Sequence, residues 1–397
     1  MTGEQSGHSK TRSQKLVGLL AAIVVAFAGI LGLTAIHHPG KMDYIEYWSS
    51  GKLLIHHLDP YSPADVLVLE KSQGFSQGNH YPLVTPNPPW TLFLLIPLGL
   101  TGAYEGLFLW LVATIACILG SILLLNKEAK NGPLALIFAP VFACICSGQS
   151  SPFLLLGFAL FLYFQRDRPF IAGASLLLMA IKPHLFLVFW AVLLVDCIYR
   201  RRLLILAGGA SALAVASVFA MCFDPRIWQH YLATMHGYNY GQAFIPTGSM
   251  LFRMLINIRA FWLLFVPSAV GVAWGLWYYF RRRQIWDWRI HGMLLMLVSV
   301  FVSPYGLFTD EIVLLPSIVF AMTLPDKRKY SGWILLAINT AALGVVASGA
   351  QLASRDYIWT PAAWLLWFLY ATNGFRRFGE REAPATETVQ IAGLEGA

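Results

Sequence analysis

Two carboxylates near the start of the chain have the types and the spacing needed for proton transfer. Asp43 and Glu46 stand three residues apart in the segment MDYIEYWSSGKLL, so a helix presents both side chains on one face. A carboxylate placed beside a substrate hydroxyl can accept its proton as a general base. Spacing alone favours a solvated acidic face over a substrate site, and both interpretations stay open at this point.

A lysine within an apolar run is the second feature that indicates chemistry. Lys182 lies in the middle of a run from about Phe170 to Ile198, where an ammonium group is costly unless it is paired or hydrated. The adjacent Pro183 interrupts the helical hydrogen bonds and frees a backbone carbonyl. Lys182 could therefore face a water-filled cavity and bind an anion such as phosphate, or it could pair structurally with a carboxylate.

Further polar residues extend the set of candidates. Gln149 stands among small residues in SGQSSPFLLL, where its amide must find partners, although small residues also serve helix packing. Arg253 can pair with phosphate or with lipid headgroups. His184 is a further candidate for an anion site, and an outer-face pocket is predicted from Tyr47, Tyr81, Asp310 and Glu311.

Signatures of nucleotide, metal and cofactor binding are missing from the sequence. It contains no P-loop, GxGxxG, HExxH, GxSxG or DxD motif. If the protein is a transferase, a lipid-carried donor is therefore favoured over a nucleotide donor. No cofactor is predicted, and a role for a divalent metal stays open. Without a CxxC pair, the cysteines are interpreted as packing residues: Cys117, Cys144, Cys146, Cys197 and Cys222.

The composition shows what kind of scaffold must position these residues. Of 397 residues, 57% are hydrophobic and 12% are charged, and the latter is about half the share in ordinary globular proteins. The apolar side chains suffice for roughly ten or eleven membrane spans of about 20 residues each. The composition therefore predicts an all-α polytopic membrane protein rather than a soluble enzyme. The net charge of +8 is explained by topology, and no nucleic-acid partner is predicted.

Basic residues predict how the chain is oriented in the membrane. Lys10, Arg12 and Lys15 precede an apolar run from Leu16 to Ile36. This run is too long for a signal-peptide core and is predicted to be an uncleaved first span. The positive-inside rule then places residues 1–15 in the cytoplasm. Later basic clusters that follow apolar runs are predicted to be cytoplasmic as well: Arg200 to Arg202, Arg281 to Arg283, Lys327 to Lys329, and Arg376 with Arg377.

The number of spans has two solutions. Breaks in the stretch from Trp90 to Ile198 allow either three or five spans, which gives ten or twelve in total, with twelve favoured. Five spans require runs of only about 12 to 16 residues, which are tolerated when they pack in protein or line a cavity. Residues 16–377 are predicted to form a single transmembrane domain, and residues 378–397 a disordered cytoplasmic tail.

Residues 37–89 are predicted to form a long first outer loop. Aromatic residues recur at helical spacing after Asp43, as expected for a helix that lies in the membrane interface. The loop ends in HYPLVTPNPPW, where four prolines within eight residues fix an extended segment before the next span. This rigid segment could shape a pocket.

Six segments, taken in order, resemble the membrane-embedded mannosyltransferases of glycosyltransferase family 87. No single segment is specific to the family, but the six segments in this order are. The resemblance implies a GT-C-like bundle of 10 to 12 transmembrane helices, with interfacial helices in the long first extracytoplasmic loop. The segments are MDYIEYWSSGKLL with DPYSP, YPLVTPNPPWTLFLLIPLGL, SGQSSPFLLL, RPFIAGASLLLMAIKPHL, PTGSMLFRML and SPYGLFTDEIVLL.

The resemblance also implies roles and substrates. Asp43 matches the family's general base, with Glu46 as a second candidate, while Lys182 with Pro183 and Gly148 with Gln149 match elements that line the donor cavity. The implied reaction is inverting transfer of a sugar, with mannose expected, from polyprenyl phosphate to a lipid or envelope-glycan acceptor. The implied location is the outer face of a bacterial inner membrane.

One segment departs from the family pattern. The family's late element reads Ser-Pro, then an aromatic residue, then His. Here Ser303 and Pro304 are present, but the histidine is missing. Asp310 could instead bind acceptor hydroxyls or help to bind a cation. A secondary transporter, which also uses broken helices and charged residues near the midplane, and an inactive scaffold remain as alternatives.

Overall fold

The computed structural model describes residues 42–74, 82–125, 138–237, 244–324 and 327–373. Within these ranges every regular element is a helix, which confirms the prediction of an all-α protein. The predictions for residues 1–15, for the first span from Leu16 to Ile36, for Tyr81 and for the tail at 378–397 fall outside the described residues.

The helices follow the chain with short connections. The first eight are α1 (Tyr44–Ile55), α2 (Pro63–Ser72), α3 (Ile96–Gly99), α4 (Ala103–Leu125), α5 (Ala139–Ser147), α6 (Ser151–Phe164), α7 (Pro169–Met179) and α8 (Leu187–Tyr199). The next eight are α9 (Leu203–Phe223), α10 (Ile227–Gly237), α11 (Gly248–Ile256), α12 (Val266–Arg282), α13 (Trp288–Phe301), α14 (Leu315–Thr323), α15 (Ser331–Ala347) and α16 (Thr360–Ala371). Short 3₁₀ helices include Pro89–Leu94, Pro183–Phe186, Phe261–Phe265 and Phe308–Leu314.

Three helical segments among the described residues are long and apolar enough to cross a membrane. They are Ala103–Leu125, Leu203–Phe223 and Phe261–Ile285. Shorter apolar helices pack between and beside them, among them Ser151–Phe164 and Trp288–Phe301. The chain is thus an integral membrane protein, while the total of ten or twelve spans stays a prediction.

The chain reverses direction at Lys182, so the run from Phe170 to Ile198 is not one kinked span. Gln165 Oε1 accepts a hydrogen bond of 3.0 Å from Arg202, whereas a continuous helix between these residues would separate them by about 55 Å. Helices α7 and α8 therefore run in opposite directions, and Lys182 lies at the turn between them. Short helices packed in protein are what the five-span solution requires.

Close backbone contact joins α7 to α9. A Cβ atom on Gly173 would lie 1.9 Å from the carbonyl oxygen of Ile205, and one on Gly208 would lie 2.1 Å from that of Phe170. A larger residue at either position would force the helices apart. Small residues at a helix crossing are typical of membrane proteins, where close packing drives association.

Tryptophan side chains satisfy the carbonyl groups that the break at Lys182 exposes. Trp90 Nε1 donates to the carbonyl of Ala180 at 2.9 Å, and Trp190 Nε1 donates to that of Pro183 at 3.0 Å. An unpaired carbonyl in an apolar setting costs several kcal/mol, so these indole groups stabilise the turn.

Helix α1 differs from its prediction. The helix is present, but Tyr44, Tyr47 and Trp48 are buried within the protein instead of facing lipid headgroups. The reason is that their polar ends have protein partners: Tyr44 donates to the carbonyl of Ala103 at 3.1 Å, and Trp48 to that of Thr101 at 3.2 Å. Helix α1 is therefore anchored to the start of α4.

Candidate active site

A large cavity brings distant parts of the chain together. Its volume is about 1150 Å³, which is slightly above the usual range for small-molecule sites. The extended segment 82–88 forms one wall, so the proline-rich stretch does shape a pocket, and residues 346–353 form another. Among the described lining residues the acidic and basic side chains are Asp43, Glu46, Lys182 and His184.

Asp43 is turned toward the cavity. It is the residue before α1, yet its carboxylate makes no capping hydrogen bond to that helix. Instead, Oδ2 accepts a hydrogen bond of 2.6 Å from Nε2 of Gln149. The positive end of the helix dipole lies beside the carboxylate and favours its ionised form. Asp43 therefore lies in a cavity wall with a protein hydrogen-bond partner, a placement that fits a substrate site better than an open acidic face.

The turn before Gln149 needs glycine. Gly148 ends α5 with φ of 70°, a left-handed conformation that residues with a side chain rarely adopt. A Cβ atom there would lie 2.7 Å from Cβ of Tyr44. The Gly148 carbonyl accepts a hydrogen bond of 2.7 Å from Trp110 Nε1. The Gly-Gln element therefore lets the chain turn tightly against α1 and delivers Gln149 to Asp43.

Lys182 continues the network beyond Gln149. Its Nζ donates to Oε1 of Gln149 at 3.2 Å and to Oδ1 of Asp310 at 2.7 Å. Asp310 also accepts a hydrogen bond of 2.5 Å from Ser151 and one of 2.9 Å from the backbone N–H of Leu307. The sequence left open whether Lys182 faces a cavity or pairs with a carboxylate, and the structure shows that it does both.

The two carboxylates of α1 differ in their surroundings. Burial raises the pKa of Asp43 above its ordinary value, and the hydrogen bond from Gln149 opposes that effect. Burial and the neighbouring Asp43 raise the pKa of Glu46 to about 8. At neutral pH Glu46 is thus mostly protonated. Because two close carboxylates seldom ionise together, Asp43 is the better candidate for a general base.

Two other predicted residues also lie at the cavity. Tyr47 lines it, and its hydroxyl donates to Oε1 of Gln149 at 3.1 Å. His184 lines it too, with its ring packed edge-on against Tyr305 at 5.3 Å between centroids. The His184 Nε2 atom is buried and has no hydrogen-bond partner among the described residues.

Three predicted residues lie elsewhere. Asp310 is completely buried behind Lys182 and does not line the cavity, so it is not placed to bind acceptor hydroxyls. Glu311 points the other way and accepts hydrogen bonds of 2.6 Å from both Thr360 and Trp364, which makes it a structural group. Arg253 is also absent from the cavity wall: it is buried, with its guanidinium 5.7 Å from the ring centroid of Phe261.

The described residues contain no group of three or more His, Cys, Asp or Glu side chains that could hold a metal ion. The cysteines are free thiols within the same ranges, and Cys146 contributes to the cavity wall.

Some parts of the site carried no signal in the sequence. Tyr231 and Met235 of α10 line the cavity, as do Gly349 and Gln351 in the loop after α15. Tyr305 also lines the cavity without having been singled out, although it belongs to the late segment that contains Ser303 and Pro304. These residues follow no motif, and only folding brings them to the cavity.

Comparisons of the sequence and of the structure relate the chain to known proteins. The sequence model of glycosyltransferase family 87 matches residues 85–304, which is more than half of the chain. Among solved structures, the chain is similar to ArnT from Cupriavidus metallidurans in the apo state, with 14% identity and a TM-score of 0.42. That alignment covers 91% of this chain and 77% of the other. No curated protein matches the sequence. The chain belongs to glycosyltransferase family 87.

Proposed function

We propose that the protein is an inverting glycosyltransferase that moves a sugar, with mannose expected, from polyprenyl phosphate to a lipid or envelope-glycan acceptor. One observation carries the proposal. Asp43 and Lys182 line the same cavity and are joined through Gln149, so a base and a cation stand at one reaction site. A proton acceptor and a group that meets developing negative charge are what such a displacement needs.

Asp43 serves as the general base. Its Oδ2 is held by Gln149, and the carboxylate faces the cavity, where it can meet an acceptor hydroxyl. Asp43 takes the hydroxyl proton while the acceptor oxygen forms a bond to the anomeric carbon. The bond from that carbon to the phosphate oxygen breaks on the opposite face. The configuration therefore inverts, and the electron pair leaves with polyprenyl phosphate.

Lys182 meets the charge of the departing phosphate. An ammonium group has three donors, and the described contacts of Lys182 use two, to Gln149 and Asp310. The third can reach a phosphate oxygen in the cavity. His184 also lines the cavity and is a second candidate for contact with the donor. Asp310 holds Lys182 in place through their hydrogen-bonded ion pair without entering the cavity.

The cavity is expected to open on the outer face of a bacterial inner membrane, with both termini in the cytoplasm. The contacts of the basic clusters support a common side for them. Arg200 donates to the carbonyl of Arg283, which joins the first two clusters. Arg328 donates to Asn373 at 2.7 Å, which brings the third cluster to the end of α16. Reporter fusions at the loop of residues 348–354 test this orientation.

A transfer assay tests the proposed donor. The full-length protein in nanodiscs is incubated with polyprenyl-phosphate mannose or with a nucleotide sugar, together with lipid extract from a strain that lacks the protein. We expect release of polyprenyl phosphate and a mannosylated product only with the lipid-linked donor. Transfer from the nucleotide sugar alone would overturn the proposal. Mass spectrometry of envelope glycans from the deletion strain identifies the acceptor.

A further inference from the structure

Gln149 occupies the position between the two groups that the proposed reaction requires. Its Nε2 donates to Asp43 at 2.6 Å, and its Oε1 accepts from Lys182 at 3.2 Å and from Tyr47 at 3.1 Å. The side chain is only 4% exposed although its residue lines the cavity. Both ends of the amide are thus committed to protein groups.

The chemistry of its partners fixes which way the amide points. An ammonium group can only donate hydrogen bonds, so Lys182 requires the amide oxygen to face it. The amide nitrogen must then face Asp43, whose ionised carboxylate can only accept. Reversing the amide would break the contacts with Lys182 and Asp43 together. The network therefore has one arrangement, and Gly148 holds the backbone that presents it.

We infer that Gln149 is a positioning residue for the general base rather than a ligand of the donor phosphate. The inference rests on the proposed role of Asp43. The amide N–H holds Oδ2, so the second carboxylate oxygen is presented to the acceptor hydroxyl. Lys182 polarises the amide from its oxygen end, which makes its N–H a stronger donor to Asp43. One amide of Gln149 thus links the ammonium group of Lys182 to the carboxylate of Asp43.

This role has kinetic consequences that donor binding does not share. A hydrogen bond to the charged form of a carboxylate lowers its pKa, so removal of the Gln149 amide raises the pKa of Asp43. The acid limb of the pH–rate profile, which reports this base, then moves to higher pH. The value of kcat at the optimum falls on the order of 10²-fold because the base is misaligned. KM for the donor changes far less than kcat, because Asp310 still holds Lys182, the group that meets the phosphate.

The test compares two buried glutamines at opposite ends of α6. Gln149→Met removes the amide and keeps the side-chain length. Gln165→Met is the matched control, because Gln165 is 3% exposed and hydrogen-bonded to Arg202 far from the cavity. Rates from pH 4.5 to 9 are measured with polyprenyl-phosphate mannose on full-length protein in nanodiscs. We expect a lower kcat and a shifted acid limb for Gln149→Met, and a wild-type profile for Gln165→Met.

Other outcomes overturn the inference. The inference is contradicted if the acid limb of Gln149→Met stays at the wild-type pH. It is also contradicted if KM for the donor rises while kcat is unchanged, since Gln149 would then be a donor ligand. If Gln149→Met does not fold, Gln149→Asn is measured instead. Its amide is too short to bridge Asp43 and Lys182, so we expect the same shift of the acid limb to higher pH. Asp43→Asn is measured in parallel. An active Asp43→Asn refutes the proposed base, whereas an inactive Asp43→Asn with normal Gln149→Met refutes only the role of Gln149.

Discussion

Lys182 and Asp310 form an ion pair with 2.7 Å between Nζ and Oδ1, although 128 residues separate them along the chain. Their side chains are 8% and 0% exposed. The pair joins the turn between α7 and α8 to the 3₁₀ helix Phe308–Leu314, the segment in which the sequence lacks the family's histidine. The segment Phe308–Leu314 therefore contributes to the site through the carboxylate of Asp310, which holds the ammonium group of Lys182 in place.

Breaking this pair from one side should destabilise the protein strongly. Lys182→Met leaves Asp310 buried without a counter-charge, and such a change typically costs about 3–5 kcal/mol. We expect a clear drop in the thermal unfolding midpoint in detergent. The double variant Lys182→Met with Asp310→Asn removes both charges and should recover most of that loss. An equal loss in the single and double variants would contradict the ion pair.

The same double variant separates folding from catalysis. Without Lys182 the leaving phosphate meets no ammonium group, so we expect kcat to fall about 10²- to 10³-fold even where the protein is folded. Transfer rates on protein selected by size-exclusion chromatography measure this effect. A folded double variant with the wild-type rate would remove Lys182 from the reaction.

Glu46 should tolerate replacement by its neutral amide. Because the pKa of Glu46 is raised to about 8 by burial and by Asp43, Glu46→Gln resembles the protonated side chain at pH 7. We expect its kcat at pH 7 to stay within about threefold of wild type, since no charge is lost. Above pH 8 the carboxyl of Glu46 ionises and repels an anionic donor. The KM for the donor should therefore rise in the wild type but not in Glu46→Gln. A KM that rises equally in both proteins would assign the effect to another group.

Gly148 should be intolerant of any side chain. Gly148→Ala introduces a Cβ atom at a φ of 70° and against Tyr44, and left-handed strain alone costs about 1–2 kcal/mol. The turn shifts and moves Gln149 away from Asp43, so we expect lower activity as well as lower stability. Gly344→Ala is the control, because a Cβ atom there meets nothing within 4 Å. It lies within α15 and should be neutral or slightly stabilising.

Glu70 should give the fold a measurable pH dependence. Both of its carboxylate oxygens accept from the backbone N–H of Leu83, and burial raises its pKa to about 7. The folded state then binds more protons than the unfolded state between the ordinary glutamate pKa and pH 7. The free energy of unfolding therefore falls as pH rises through this interval and levels off above it. The unfolding midpoint of the wild type should fall more steeply with rising pH over this interval than that of Glu70→Gln.

Much of the helical framework was predictable from the sequence. The helix predicted after Asp43 begins at Tyr44, and the apolar run that follows Arg200 to Arg202 forms the helix Leu203–Phe223. Apolar periodicity and basic flanks determine such features locally. The break at Pro183 was also visible, but the reversal of the chain there was not. It depends on Gln165, Arg202 and the contact of Gly173 with α9, which are tertiary interactions.

The site was only partly predictable for the same reason. Asp43, Gln149 and Lys182 stood out because polar groups in apolar settings need partners, and they do line one cavity. Which groups would become partners could not be deduced. Asp310 and Glu311 are adjacent in the chain, yet one pairs with Lys182 and the other with Thr360 and Trp364. Such pairing is decided by the packing of helices that are distant in sequence.

The most direct test of the account is the single-turnover rate of Asp43→Asn with polyprenyl-phosphate mannose. The asparagine has the same size and can keep a hydrogen bond to Gln149, but it cannot accept a proton. We predict a folded protein that binds the donor normally and transfers the sugar about 10²- to 10⁴-fold more slowly than wild type. Transfer by folded Asp43→Asn at the wild-type rate would contradict the assignment of the general base.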